Sequence, residues 1–431
     1  MNYPIWQLDF AGGGLLIAVM AIIHVYIAHF AVGGGLFLVL TEYKGVRENS
    51  REVIDYVKKH TKFFLLLTMV LGSLTGVGIW FTISVLNPAA TSVLIHTFVF
   101  AWGVEWLFFV TEIVSLFIYY YTFDKLDSRT HLLIGWIYFG AAWMSLFVIN
   151  GIIDFMLTPG NWPQTGNFWG AFFNPTFWPA LFFRTFLAVI IAGLFGFVTA
   201  SALKKKDLRD SMLKFSAIWL LVPFIFFIGA AWWYRAALPP QVEELVFQGM
   251  PALKPFLSSF VVFSPLLILG GLVMGIKLPS GVSRLLAGVM LLVGLMYIGT
   301  FEFIREGGRR PYIIYDYMYS TSIRKADVEK VRQTGVLQAA KWLDQREISG
   351  AGISRQGEEV FNLLCISCHS IGGPLNDIKN LAAPLTVADL RSTIPAMGKE
   401  LAFMPPFAGN EKEKEAVIHY VHRTLMNRVE Q

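Results

Sequence analysis

The sequence predicts an all-α protein in two parts, a polytopic bundle of transmembrane helices followed by a small all-α domain. Hydrophobic residues make up 55% of the 431 residues and charged residues 15%, whereas a typical soluble protein has roughly 25% charged residues. Apolar stretches of about 20 residues, the length that spans a bilayer, recur from Ala11 to Glu302. After Glu302 charges are dense, and no apolar stretch is long enough to span.

Eight spans are expected in the first part. The first apolar stretch follows no basic residue and is too long for the core of a signal peptide, so we expect it to be retained. The domains predicted from this pattern are a transmembrane domain over 1–312, a linker over 313–350 and a second domain over 351–431. The expected spans are 12–41, 63–86, 93–122, 132–156, 178–202, 215–237, 257–276 and 284–304.

Lysine and arginine are unevenly distributed among the loops between these spans. One set of loops is rich in them, whereas the alternate set holds Lys254 alone. Because basic loops stay in the cytoplasm, both termini are predicted to lie outside a bacterial inner membrane, with the second domain on the periplasmic side. The basic loops are 43–62, 124–130, 203–214 and 277–284, and the alternate ones are 1–11, 87–92, 157–177 and 238–256.

The two cysteines of the chain lie in one short motif, Cys365-Ile366-Ser367-Cys368-His369. Cys-x-x-Cys-His is typical of covalent haem c attachment. Two thiols one helical turn apart add to the two vinyl groups of a porphyrin, and the adjacent histidine becomes the proximal iron ligand. The alternative is a redox or zinc-binding cysteine pair beside a chance histidine, although zinc would need two further ligands. The second domain is therefore predicted to be a cytochrome c domain with one haem c.

The segments around this motif fit a small cytochrome. A helix opening at Gly357 would deliver the motif, and the amphipathic segment 411–428 could close the fold. Between them, Met404 lies on a proline-rich loop and is predicted to be the sixth iron ligand, which would raise the reduction potential. Met397 is the competing ligand. Haem c is attached outside the cytoplasm, in agreement with the orientation that the loops predict.

Ionisable residues inside apolar spans are functional candidates because burying them is costly. His24 and His29 are five residues apart, or about 140° around a helix, so at most one is expected to meet a given haem. Glu105 and Glu112 lie two turns apart on one face, which suits a proton path or a haem pocket, or else a pair of neutral, hydrogen-bonded carboxyls. The full set is His24, His29, His96, Glu105, Glu112, Arg184, Glu302 and Glu306.

Residues 10 to 330 resemble subunit I of the cytochrome bd quinol oxidases. That family has a histidine on its first span and an acidic residue 18 positions later, as do His24 and Glu42 here. It has two carboxylates on its third span, spaced eight apart, where this chain has Glu105 and Glu112. Its hallmark, Glu-x-Gly-Arg-Gln-Pro-Trp, is similar to Glu306-Gly307-Gly308-Arg309-Arg310-Pro311-Tyr312.

The resemblance implies roles for these residues. His24 would be the axial ligand of the oxygen-reactive haem, of b or d type, and Glu306 the ligand of a neighbouring haem b. A second membrane subunit is implied as a partner, with quinol or quinone as a candidate substrate. Glu105 and Glu112 would have catalytic roles, as the acids of a proton path and a haem pocket. Arg309 and Arg310 would pair with haem propionates.

The chain also departs from the family. Phe183-Arg184-Thr185 stands where the family has the histidine of its quinol-side haem b, and no histidine occurs between His131 and His369. The loop 238–256 is shorter than the family's quinol loop, and the cytochrome domain replaces a ninth span. We therefore expect two membrane haems, near His24 and Glu306, and none between the fifth, sixth and seventh spans.

Three functions are consistent with these observations. The leading one is a membrane electron-transfer subunit, an oxidoreductase component that passes electrons between haems b in the bilayer and a periplasmic haem c. Quinol or an external c-type cytochrome would be the other party. The alternatives are a terminal oxygen reductase fed through haem c and a non-catalytic membrane anchor for a cytochrome. No basic patch with interleaved aromatic residues occurs, which excludes nucleic acid as a partner.

Overall fold

The computed structural model describes residues 4–344, 346–348 and 352–426. Over these ranges the chain is mostly helical, and its strands are confined to one short hairpin. The predicted all-α fold is confirmed. Residues 1–3, 345, 349–351 and 427–431 of the predicted domains lie outside the described residues.

Eight helices in the described ranges are long and apolar enough to cross a membrane, as predicted. Several extend beyond their apolar cores. The second begins at Arg51, where Ser50 caps its first turn by accepting a hydrogen bond from the Val53 amide at 3.4 Å. The spans, first to eighth, are Gly13–Arg47, Arg51–Leu86, Val99–Tyr121, Ser128–Asp154, Phe177–Ser201, Lys206–Ala236, Pro251–Met274 and Ser280–Gly308.

The second and seventh spans are not uniform α-helices. The second consists of α-helices Arg51–Leu66 and Ser73–Leu86 joined by a π-helical turn, Leu67–Gly72. Such turns interrupt the regular backbone ladder and often occur at functional sites. The seventh begins with a 3₁₀ turn, Pro251–Leu253, and continues as the α-helix Lys254–Met274.

Short helices fill the loops on the side predicted to be outside. Pro88–Thr97 follows the second span. Trp162–Thr165 and Phe168–Phe172 follow the fourth span. Pro240–Glu244, which continues as a π-helical turn over Leu245–Gly249, follows the sixth.

The region after the eighth span is a small, mostly helical domain. It begins with a hairpin of two antiparallel strands, Tyr312–Ile314 and Met318–Tyr319. Its helices are the 3₁₀ turn Lys325–Asp327, then Val328–Thr334, Val336–Ala339, Ile353–Leu364, Ile378–Ala382, Val387–Ala396 and Glu411–His419, the last continuing as a π-helical turn over Tyr420–Thr424.

The helices Ile353–Leu364 and Glu411–His419 form the core of this domain. They meet at Gly357, where an added Cβ would lie 2.1 Å from the Ala416 carbonyl oxygen. Glycine is required there because no side chain fits between the two backbones. The buried residues around this crossing include Val360, Phe361, Leu364, Val417 and Tyr420.

The described part of the predicted linker packs onto the same core. Ile323, Val336 and Leu337 are buried with it. The Glu413 carboxylate accepts hydrogen bonds from the amides of Val336 at 2.9 Å and Leu337 at 2.8 Å. Residues of the linker therefore contribute to the hydrophobic core of the small domain.

Backbone contacts divide the chain into two compact units. The bundle unit contains residues 21–77 and 98–305. The C-terminal unit contains the described parts of 1–20, 78–97 and 306–431. The second unit thus combines the small domain with the start of the first span, the end of the second and the helix after it.

Gly357 provides a test of the packing of the small domain. Gly357→Ala is expected to destabilise the domain by about 1–3 kcal/mol, the usual cost of overpacking, because the new methyl group meets the Ala416 carbonyl. Thermal unfolding of the purified chain measures the change. Leu381→Ala, at a side chain that is 51% exposed, is the control and is expected to leave the midpoint unchanged. Equal midpoints for Gly357→Ala and the wild type would contradict this packing.

Candidate functional site

The Cys-x-x-Cys-His motif forms one tight turn at the end of a helix. Cys365 ends Ile353–Leu364, and its amide donates to the Phe361 carbonyl at 2.7 Å. The amides of Cys368 and His369 both donate to the Cys365 carbonyl at 3.0 Å. Both cysteines are free thiols, and burial raises the pKa of the Cys365 thiol to about 12. The turn holds the two thiols and the imidazole together, as attachment of one haem requires.

His369 is oriented by a backbone hydrogen bond. Its Nδ1 lies 2.9 Å from the Asn376 carbonyl oxygen. A carbonyl only accepts, so Nδ1 carries the proton and the lone pair of Nε2 is available to a metal. Burial, assisted by the positive charge of Arg310, lowers the pKa of His369 and favours the neutral ring that iron requires.

Met404 and Met397 lie on one closed loop. The Met404 amide donates to the Leu401 carbonyl at 2.9 Å, and Met397 forms a backbone bridge with Leu401. The loop closes at Gly398, which has a φ of +76° and faces the backbone of Pro406. Both methionine side chains are half-buried. The choice between them as sixth ligand stays a prediction in favour of Met404.

The N-terminal segment before the first span contacts the loop that follows His369. The Ile371 amide donates to the Asp9 carbonyl at 2.6 Å. Gly373 lies so close to Phe10 that an added Cβ would be 1.7 Å from its carbonyl oxygen. The segment before the first span and the loop after His369 are therefore joined directly.

Glu306 and Arg310 reach the same turn from the end of the eighth span. Arg310 Nη1 lies 2.5 Å from Cys368 Sγ, and its Nη2 lies 3.8 Å from Glu306 Oε1. Arg309 also pairs with the Glu306 carboxylate, and its Nη1 donates to the Ile313 carbonyl at 3.1 Å. The structure thus brings together four residues that the sequence analysis had placed in different motifs or roles.

In the bundle unit, His24 on the first span faces the π-helical turn of the second. Its Nδ1 lies 3.1 Å from Thr75 Oγ1 and 3.2 Å from the Gly72 carbonyl. Thr75 Oγ1 itself donates to the Leu71 carbonyl at 2.7 Å, so it accepts from His24. Nδ1 therefore carries the proton and Nε2 is left for a metal. Gly76 makes room, since a Cβ there would lie 3.1 Å from His24 Cε1.

His29 is a second buried imidazole on the first span. Its Nδ1 lies 2.7 Å from the Val25 carbonyl, and its buried Nε2 has no hydrogen-bond partner among the described residues. His96 lies at the end of a short loop helix and bonds to the Ser92 carbonyl at 2.7 Å. The geometry therefore leaves both His24 and His29 as candidate ligands.

Glu105 is paired with a hydroxyl group of the fourth span. Ser145 donates to Glu105 Oε1 at 2.9 Å. Glu112 is buried and Glu105 half-buried, two turns apart on the third span. A carboxylic acid in such a setting can hold and release a proton.

Comparison with known proteins identifies the bundle. Residues 15–238, more than half of the chain, match the family model described as cytochrome bd terminal oxidase subunit I. The chain belongs to that family. Membership makes it a multi-pass inner-membrane subunit of the respiratory oxidase type, with haem b or haem d as the implied cofactors. Subunit I of this family generally pairs with a subunit II and with quinol.

A solved structure supports the same fold. The bd oxidase from Geobacillus thermodenitrificans is similar with a TM-score of 0.61 and 15% sequence identity, over 71% of this chain and 89% of that chain. At this identity the likeness is evidence for the fold alone. No curated protein matches the chain.

A buried ionic cluster surrounds Arg184 in this member of the bd family. Arg184 Nη2 lies 3.7 Å from Asp154 Oδ1, and Arg184 Nη1 lies 3.9 Å from Glu302 Oε1. Arg305 pairs with Glu302 at 2.7 Å. Arg184 thus lies between two buried carboxylates. A guanidinium inside a membrane needs such partners because burying its charge alone is costly.

Several polar atoms of this cluster have no hydrogen-bond partner among the described residues. Buried polar groups normally have a hydrogen-bond partner, and polar contacts beyond 3.5 Å are often bridged by water. The distances from Arg184 to Asp154 and to Glu302 are both beyond 3.5 Å. The atoms are His29 Nε2, both carboxylate oxygens of Asp154, Arg184 Nε and Nη2, Tyr234 Oη, Glu302 Oε1 and Arg305 Nη1.

Aromatic side chains pack beside the cluster. The Phe183 ring centroid lies 4.5 Å from that of Phe227 and 4.6 Å from that of Phe301. Phe227 in turn lies 6.0 Å from Tyr297. These rings join the fifth, sixth and eighth spans by direct packing.

Glu42 belongs to a second buried polar group, whose other members, His131 and Tyr119, the sequence did not reveal. Glu42 Oε1 lies 2.7 Å from His131 Nδ1, and Tyr119 Oη donates to Glu42 Oε2 at 2.5 Å. His131 Nε2 donates to the Tyr119 carbonyl at 2.9 Å. Glu42 and His131 each lie near the end of a span among other charged residues, so their positions in the sequence suggest that they are exposed to water. Glu42 was noticed only because it follows His24 by 18 residues.

Arg184 provides a test of the ionic cluster. Arg184→Leu is expected to destabilise the bundle by about 3–5 kcal/mol, because removing one partner leaves buried carboxylates unpaired. Thermal unfolding in detergent measures the change. Arg235→Gln, at an exposed arginine that pairs with Glu243 at 2.9 Å, is the control and is expected to change little. An Arg184→Leu protein as stable as the control would show that the cluster does not hold the spans together.

Proposed function

We propose that the chain is a membrane electron-transfer subunit that passes electrons between haem b or haem d groups in the bilayer and one covalent haem c. The observation that carries this proposal is the contact between the Cys-x-x-Cys-His turn and the end of the eighth span, through Arg310. A candidate site for a membrane haem and a candidate site for haem c are thereby adjacent in one unit of the chain.

The donor set of the small domain fits haem c. Cys365 and Cys368 would form the two thioether bonds, the Nε2 of His369 would be the proximal ligand, and Met404 would be the sixth. The hydrogen bond from His369 to the Asn376 carbonyl fixes the tautomer that ligation needs. The bound group would supply one-electron transfer.

The first and eighth spans would supply ligands for two membrane haems. His24 presents its Nε2 with Nδ1 held by the second span, and the Glu306 side chain is 44% exposed and therefore accessible. Arg309 and Arg310, both paired with Glu306, could also bind propionates. Glu105, Ser145 and Glu112 would hold and move a proton, which is the catalytic role proposed for the two acids.

A quinol-side haem is not proposed. A guanidinium has no lone pair to offer iron, and Arg184 stands where the family has a histidine. Its neighbours Asp154 and Glu302 provide charge partners, and aromatic rings occupy the adjoining space. These observations favour a second candidate, a terminal oxygen reductase that receives its electrons through haem c instead of from quinol.

The partners follow from this arrangement. A bd-type second subunit would cover part of the lipid-facing bundle, and periplasmic c-type cytochromes would exchange electrons with haem c, with quinol as the other candidate. The cytochrome domain is proposed to lie on the periplasmic side of the inner membrane. The contact of Asp9 and Phe10 with Ile371 and Gly373 supports this, because the N-terminus precedes the first span on the side with few basic residues.

Oxygen consumption separates the two candidate functions. With purified protein, a reductase fed through haem c is expected to consume oxygen with reduced cytochrome c and not with quinol. An electron-transfer subunit is expected to reduce an external cytochrome c at the expense of quinol, without oxygen uptake. If neither donor changes the redox state of any haem, both proposals fail.

Haem c attachment depends on the two thiols. Cys365→Ser together with Cys368→Ser is expected to abolish haem staining on a denaturing gel, because no covalent bond remains. Ser367→Ala, between the two cysteines, is the matched control and should keep the stain. Staining that survives the double substitution would refute the haem c assignment.

His24 and His29 form a matched pair for testing the membrane ligand. His24→Ala is expected to delete one b-type or d-type signal from the optical spectrum and to leave haem c intact, whereas His29→Ala should keep the full complement. Reduced-minus-oxidised spectra of both variants make the comparison. The reverse pattern would assign the ligand to His29.

A further inference from the structure

We infer that Arg310 is a positioning residue that fixes the Cys368 edge of haem c against the end of the eighth span. Arg310 would thereby set both the potential of haem c and its electronic coupling to the haem held at Glu306. This inference rests on the proposed function, since it requires a haem attached to Cys365 and Cys368.

The first observation is the position of Arg310 in the chain. Arg309 and Arg310 are adjacent cations that follow the eighth span directly. Arg310 therefore lies at the point where the chain leaves this span and enters the hairpin of the small domain.

The second observation is the geometry of the Arg310 side chain. Nη1 lies 2.5 Å from Cys368 Sγ, while Nη2 lies 3.8 Å from Glu306 Oε1. The two terminal nitrogens of the Arg310 guanidinium thus face two different residues, Cys368 and Glu306. The fork of an arginine, with its five N–H donors, allows this. A glutamine is shorter, carries one amide nitrogen and brings no charge.

The surroundings of Arg310 make the contact a fixed one. Its side chain is 15% exposed, so water screens it only in part. Ser320 Oγ, in the hairpin that follows, also lies 3.6 Å from Cys368 Sγ. Asp9 and Phe10 hold the loop after His369 from another direction. Three segments therefore contact the Cys365–His369 turn or the loop after it: the end of the eighth span, the hairpin and the N-terminal segment. Among these contacts, Arg310 supplies the positive charge.

Two consequences follow for a haem at this turn. A fixed positive charge beside the thioether of Cys368 stabilises the reduced haem, which carries one positive charge fewer, and so raises its reduction potential. The contact also limits the distance and angle between the haem edge and Glu306. Electron transfer slows steeply as that distance grows, so a loosened turn exchanges electrons more slowly.

The test uses the full-length protein with Arg310→Gln, which removes the charge and keeps a polar side chain, and Arg310→Lys, which keeps the charge and loses the fork. Arg324→Gln is the control, because Arg324 is an exposed arginine of the same unit that pairs with Asp327 at 2.6 Å. The readouts are haem staining, potentiometric titration of haem c, and flash-induced electron exchange between haem c and the membrane haems.

For Arg310→Gln we expect unchanged haem staining, a lowered haem c potential and electron exchange that is severalfold slower. Arg310→Lys should keep a potential near that of the wild type, with exchange slower than in the wild type. The control should match the wild type in all three. A merely structural role would leave the potential of a fully stained variant unchanged.

Two outcomes would overturn the inference. One is an Arg310→Gln protein with wild-type potential and exchange rate. The other is loss of the covalent haem in Arg310→Gln with retention in Arg310→Lys, which would show that the charge serves attachment rather than positioning. A wild-type protein without haem staining would instead refute the proposed function, so the two failures are distinguishable.

Discussion

The contact of Arg310 with both Glu306 and Cys368 is the interaction on which the functional account depends. Within the C-terminal unit, it joins the last turn of the eighth span to the turn that carries both cysteines of the chain. Without this contact, the cytochrome domain that we propose could be any tethered electron carrier. With it, the two candidate haem sites share a side chain, and electron exchange between them becomes the simplest use of the arrangement.

The cost of burying a charge in the membrane explains which residues surround Arg184 in the bundle. Arg184 cannot replace a histidine as an iron ligand, and it cannot lie alone between apolar helices. Asp154 and Glu302 supply opposite charges, Arg305 balances Glu302, and the rings of Phe183 and its neighbours close the adjoining space. Under the proposed function, this charge-paired and aromatic core takes the place of the quinol-side haem, and the haem c proposed for the small domain would be the point of electron entry.

The sequence could predict the fold because its signals are strong and local. Apolar stretches of bilayer length identified all eight spans, although not their ends, since helices such as the one beginning at Arg51 continue into water with capped, charged turns. The Cys365–His369 motif predicts attachment of haem c, and the hydrogen bond from His369 to the Asn376 carbonyl supports that prediction.

Contacts between distant residues could not be predicted in this way. Asp154 and Arg305 lie at the ends of their spans, where a charge ordinarily faces water. Only the packing of several helices shows that Asp154 lies beside Arg184 and that Arg305 joins the same cluster through Glu302. His131 escaped notice for the same reason. The choice between His24 and His29 depends on which imidazole faces a haem, and the structure leaves the Nε2 of both available.

A pyridine haemochrome spectrum of the purified protein tests the central claim most directly, because it counts haems by type. The account predicts one haem c for each chain together with two membrane haems of b or d type. A spectrum without haem c would contradict the assignment of the small domain. A spectrum with three membrane haems would contradict the replacement of the quinol-side haem by the Arg184 cluster.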